Sequence, residues 1–149
     1  CTGTLSFDLT LTDGASDGVK VQGGSHDVVV TSGRIVCQGA QLPGSHQDGI
    51  QVQGGSNVVF HNTFVSCPNS SGAGAFYIDG KDFGGISGVI CDTCDLRHYV
   101  IPFIYTGPAA NSGVRNSVLH QSSFQGGRCF TNPAGGGTGM VNTNNTCVP

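Results

Sequence analysis

The sequence predicts an all-β solenoid of about five coils, each built from three short strands, and three observations carry that prediction. First, a segment repeats: Asp17-Gly18-Val19-Lys20-Val21-Gln22-Gly23-Gly24-Ser25 returns as Asp48-Gly49-Ile50-Gln51-Val52-Gln53-Gly54-Gly55-Ser56. Second, the glycines that close this strand, Gly23, Gly54, Gly80 and Gly107, follow one another at 31, 26 and 27 residues. Such a period is too short for a propeller blade and carries no helical pattern, which leaves stacked short strands. Third, apolar residues alternate within each unit, as a strand with one buried face requires.

The elements follow in chain order. Leu5, Phe7, Leu9 and Leu11 already alternate as a strand, with no capping helix before them. The first strand of each coil points Val19 and Val21, Ile50 and Val52, Phe76 and Ile78, and Phe103 and Tyr105 inward. A second strand runs through Val28-Val29-Val30, Val58-Val59-Phe60, Val89-Ile90 and Val114. Polar corners come next, at Ser32-Gly33, Asn62-Thr63, Asp92-Thr93 and Asn116-Ser117, where Asn tolerates left-handed backbone. A third strand restarts at Ile35, Phe64, Cys94 or Val118. Residues 126–149 are rich in Gly and Asn and read as a C-terminal loop or cap on a single domain spanning 1–149.

The stretch Asp48 to Phe64, DGIQVQGGSNVVFHNTF, resembles the coils of right-handed parallel β-helix proteins of the pectate-lyase-like superfamily. The resemblance spans roughly residues 5 to 125 and implies that fold. Polysaccharide lyases, galacturonases, epimerases, tailspikes and adhesins share it, so it implies no single activity. The paired aspartates, Gly-His-Gly and Arg-Ile-Lys of the galacturonase-like members are missing. So are the acidic cluster with a nearby Arg of the calcium-dependent pectate lyases and the calcium-binding nonapeptide repeat.

Composition removes several function classes. A net charge of −3 and the lack of a basic run speak against nucleic-acid binding, and no segment approaches the length of an apolar membrane span. Coils stacked at about 4.8 Å make a short body whose two ends expose strand edges. Three arrangements fit: the excised middle of a longer protein, subunits stacked end to end, or a self-sufficient small domain. Seven cysteines and the sequons at Asn69 and Asn144 favour an extracellular or cell-surface location. Cys37 and Cys67 occupy equivalent places in adjacent coils, where either a disulfide or a ladder of buried thiols fits. Cys129 and Cys147 are placed to close the C-terminal loop. Cys91 and Cys94 form a lone CxxC without the further ligands zinc would need. The odd cysteine is assigned to Cys1, facing an upstream segment or another subunit.

Outward side chains of the first strands make the columns Lys20–Gln51–Tyr77 and Gln22–Gln53–Asp79, with His46 and Asp48 on the lead-in to the second coil. Amides, carboxylates and an aromatic ring suit a sugar. The expected function is recognition or cleavage of an extracellular acidic polysaccharide, with β-elimination as the chemistry if the protein is catalytic. His46 or Lys81 would be the base, Lys20 or Lys81 would neutralise the uronate carboxylate, and Tyr77 would be the acid. Lys20, Gln51, Gln53, Asp48 and His61 would contact substrate, and Asp48 with Asp79 would hold Ca²⁺ if a metal is used. The alternative is a non-catalytic module of an adhesin, fibre or filament that assembles through its open ends. In that reading the outward columns are a solvated wall, and Asp17 and Asp48 start strands and bond backbone.

Overall fold

A computed structural model describes residues 3–12, 17–38, 43, 46–70, 74–122, 126–132 and 139–149; Cys1 and residues 133–138 of the expected cap lie outside them. The first coil comprises β2 (Val19–Val21) and the long β3 (His26–Cys37), against which β1 (Gly3–Leu11) lies. The second comprises β4 (Ile50–Val52), β5 (Gly55–His61) and β6 (Thr63–Cys67), and the third β7 (Gly74–Ile78), β8 (Ile86–Asp92) and β9 (Asp95–His98). β10 (Ile101–Tyr105), β11 (Ser112–Arg115) and β12 (Val118–His120) form the fourth. A reduced last course holds β13 (Phe130–Thr131), β14 (Met140–Thr143) and β15 (Thr146–Val148).

All these strands pair in parallel, as a five-stranded sheet in the order β13-β10-β7-β4-β2 and a ten-stranded sheet that bends through β3. Among the described residues there is no helix, and the solenoid has about four turns, against about five expected. The difference lies at the two ends. β1 has no described first-sheet strand of its own, and β13 is only two residues long.

The core is a set of columns running along the stack. Val19, Ile50, Phe76, Phe103 and Phe130 align across the small sheet, as do Val21, Val52, Ile78 and Tyr105. The Phe76 and Phe103 ring centroids are 6.1 Å apart, and those of Phe103 and Phe130 5.1 Å. Phe60 crosses from the large sheet to meet the edge of Phe76 at 6.2 Å. Offset and edge contacts of this kind add to the burial itself.

The third strands begin at Thr63, Asp95 and Val118, within a residue of the expected restarts at Phe64, Cys94 and Val118, and their inward column is Ile35–Val65–Leu96–Leu119. At the corner before them Asn62, Thr93, Asn116 and Asn144 stack with φ of 49°, 59°, 52° and 54°. Phe64 faces outward, with the Arg97 guanidinium 5.2 Å from its ring centroid.

Three disulfides occur among the described residues: Cys37–Cys67, Cys129–Cys147 and Cys91–Cys94. The CxxC therefore closes on itself around the Thr93 corner. The Asp-Gly pair that opens the repeat also has a packing reason. A Cβ on Gly49 would lie 2.2 Å from Val65 Cγ1 and 2.6 Å from the Ala75 carbonyl oxygen, so only glycine lets the lead-ins of adjacent coils nest.

Phe76→Ala should cost about 3–5 kcal/mol in urea unfolding, because it empties the centre of the aromatic column. Phe83→Ala, at an exposed side chain just past the same strand, should stay within about 0.5 kcal/mol of wild type.

Candidate functional site

The functional candidates converge at the lead-in to the second coil. Asp48 begins there because its backbone completes the ladder: its carbonyl accepts from Gly18 N at 2.9 Å, and its own N–H donates to Asp17 Oδ1 at 2.9 Å. Its carboxylate reaches the third coil, where Oδ1 accepts from Gly74 N at 2.7 Å. Oδ2 lies 3.1 Å from His46 Nδ1, and Asp17 Oδ1 lies 3.5 Å from the same nitrogen. Asp17 Oδ2 is paired with Lys20 Nζ at 2.9 Å. Both carboxylates are fully buried, whereas the His46 side chain is 53% exposed. Nδ1 thus faces two fixed oxygens, and Nε2, on the opposite edge of the ring, has no partner among the described residues. The donor atoms of Asp17, His46 and Asp48 all lie within 4.8 Å of one another.

The segment presenting His46 is held from beneath. The Gln47 carbonyl accepts from Ser70 Oγ at 2.6 Å and from His98 Nε2 at 3.3 Å. Val100 N donates to His98 Nδ1 at 3.0 Å, which places the His98 proton on Nε2. Burial lowers the His98 pKa to about 4, opposed only in part by the bond to Gln47. His98 is therefore a neutral clamp on the loop.

Beside this centre lie Tyr77 and Asp79. Burial pushes the Tyr77 hydroxyl up to about 12, and its hydrogen bond to Asp79 and the charge of Asp48 act in the same direction. Burial also raises Asp79, against the lowering effects of the Tyr77 bond and the charges of His46 and Lys81. The register confirms Lys20, Gln51 and Tyr77 as neighbours in one column. That column is not an open groove, however. Gln51 is 2% exposed and Asp79 4%, and Ile104 next in line is also buried, so the expected contact of Gln51 with a polymer is corrected to a buried support. The accessible groups are His46, Lys20, Lys81 and half-buried Tyr77. Gln53 is half-buried and takes a long contact from Gln22, 3.5 Å.

The remaining candidates separate. His61 sits on the large sheet, 3.8 Å from Asp92, whose carboxylate is also held by Arg115 and Asn116. His120 and Arg97 pair with Asp95 on the third face. Lys20 is tied to Asp17 yet remains exposed, as does Lys81. Asn69 is exposed, while Asn144 donates its side-chain amide to Asn116 Oδ1 at 3.3 Å within the corner ladder. The sequence marks Asp17 only as a strand starter and assigns Gln47 no role; the signal for Asp17 is its place in the repeat, one coil before Asp48.

No family model, curated protein or solved structure matches the chain. Its class is therefore defined by its architecture, a parallel β-solenoid with three disulfides among the described residues.

The His98 clamp gives a pH prediction. Its folded pKa is depressed from 6.5 to about 4, so the unfolded chain binds the proton more tightly. Its contribution, about 3 kcal/mol, is complete above pH about 6.5 and is lost as pH falls towards 4. Urea midpoints at pH 7 and 4.5 should fall further apart in the wild type than in His98→Gln.

Proposed function

We propose that this is a secreted protein of the pectate-lyase-like β-helix kind that binds an extracellular acidic polysaccharide and cleaves it by β-elimination. The observation that supports this reading is the His46–Asp48 pair: a buried carboxylate, oriented by Gly74 N, holding one edge of an exposed imidazole. A carboxylate in that position fixes the tautomer with hydrogen on Nδ1 and frees Nε2 as a base. The disulfides and the sugar-like polarity of the rim support the extracellular setting.

In this scheme Nε2 takes the proton α to the uronate carboxylate. The electrons of that C–H bond form the new C=C bond, and the bond to the 4-linked oxygen breaks. The departing oxygen takes a proton from Tyr77, a hydroxyl whose raised pKa keeps it protonated at neutral pH. Lys81 neutralises the uronate carboxylate, whose charge otherwise opposes loss of the α-proton. Lys20 serves by holding Asp17 rather than by touching substrate.

A panel of uronate-containing polysaccharides should yield unsaturated products, detected by their ultraviolet absorbance. His46→Ala should reduce the rate by about 10²–10⁴-fold with the fold retained. No unsaturated product from any polymer, or full activity in His46→Ala, would sink the reading.

One observation favours a second reading, a structural module. At the β1 end an apolar recess of about 260 Å³ opens among Leu5, Phe7, Val19, Val28 and Phe60, where the core of the stack meets solvent. An assembling module would bury it against another solenoid end. Electron microscopy of the untagged chain should then show end-to-end filaments that Phe7→Asp disperses; discrete monomers of the wild type would exclude this reading.

A further inference from the structure

We propose that the β1 end of the solenoid is a strand-addition site. It takes one extended segment of a different polypeptide, parallel to β2, with two apolar side chains at alternate positions and a glycine after them. The inference does not rest on the polysaccharide reading.

This end is stepped. β1 adds a course to the large sheet by pairing with β3, whereas β2 is the outermost described strand of the small sheet. The recess of about 260 Å³ lies at the step, lined by Phe7 and Leu9 of β1, Val19 and Val21 of β2, and Val58 and Phe60 of the next coil. The edge of β2 is open among the described residues. Val19 N donates to Gly49 O at 2.9 Å, and Gln53 N donates to Val21 O at 2.7 Å. Lys20, between them, therefore turns its own N–H and C=O away from β4. One further parallel strand would pair with Lys20 there. Its side chains in line with Val19 and Val21 would extend both core columns into the recess.

Gly23 is an independent observation. A Cβ on its equivalent in the second coil, Gly54, would lie 2.5 Å from Gly23 N, because the backbone of the first coil crosses there. Gly54 must therefore be glycine. Gly23 repeats it, yet a Cβ on Gly23 would meet nothing within 4 Å, and its φ is not left-handed. Nothing among the described residues requires glycine at this position. A backbone that crosses Gly23 as Gly23 crosses Gly54 does require it, and glycine within or beside a strand marks such close approaches.

Register identifies the source. Gly3 aligns with Val28, which is 28 − 21 = 7 residues past Val21, so Cys1 and Thr2 are too few to supply the strand. A second copy does not supply it either. Its β13 shares a course with β14 and β15, so bringing β13 onto β2 would drive those strands into β1. Its β2 carries its own β1 alongside and meets the same obstacle, and β4, β7 and β10 are paired on both edges. The stepped end thus fits a single strand of a different chain better than the end of another solenoid.

The test titrates the untagged chain into a fluorescent peptide of the repeat's own sequence, SDGVKVQGGS. Anisotropy should show saturable one-to-one binding. Hydrogen exchange should show the Lys20 amide newly protected, with the Gln51 amide of β4 unchanged. The same peptide with both valines replaced by aspartate should bind weaker by about tenfold or more, since the apolar anchors are lost. Gly23→Ala should keep the wild-type urea midpoint, because its Cβ enters open space, and still weaken peptide binding by about tenfold or more. No binding by wild type, equal binding of the aspartate peptide, or full binding by Gly23→Ala overturns the proposal. Sedimentation showing self-association of the wild type that Gly23→Ala abolishes also overturns it, by placing a second copy in the slot.

Discussion

The Asp48 carboxylate and its peptide tie three coils together, and the candidate site depends on that tie. The backbone of Asp48 accepts from Gly18 and donates to Asp17 in the coil before, and its side chain accepts from Gly74 in the coil after. At this point on the stack the chain changes direction and enters β4, so ordinary strand pairing cannot satisfy every donor. A short anionic side chain does so instead, with charge-assisted bonds that are stronger than neutral ones. The glycines that follow, Gly18 and Gly49, let the coils approach closely enough for those bonds to form.

The same arrangement sets the charge of the site. Two carboxylates recruited to satisfy backbone are removed from water, which is expensive unless cations or donors surround them. Lys20 compensates Asp17, and His46 closes over both. Beneath it, the neutral His98 fixes the Gln47 carbonyl without adding another charge. A protonated histidine there would donate from Nδ1 as well, and it would lose the bond from Val100 that seats the loop.

Much of the fold was legible because a solenoid repeats its instructions. Alternation placed Ile50 and Val52 inward beside Phe76 and Ile78, and the register agrees residue by residue. The equivalence of Cys37 and Cys67 followed from the repeat, and the disulfide joins them. The corners were legible too: Asn62, Thr93 and Asn116 take the left-handed backbone there, and the strands after them begin within a residue of the expected restarts. What was not legible depended on the third dimension, and the burial of Gln51 is the example. Its alternation places it outward, and only the packing of the folded chain shows that outward is not exposed. In the site, His46 and Asp48 stood out as neighbours in sequence, whereas Asp17 and His98 come from 31 and 50 residues away from Asp48.

On the proposed polysaccharide reading, the outer column of the small sheet offers little to grip, because Gln51 and Ile104 are both buried. The exposed groups are His46 at the lead-in to β4 and Lys81 past the end of β7, with Tyr77 half-buried within β7. The repeat that stacks the coils brings each lead-in next to the one before it. A centre assembled from Asp17, Asp48 and the third coil is thus a direct product of the stacking, since none of these coils alone holds the full set of groups.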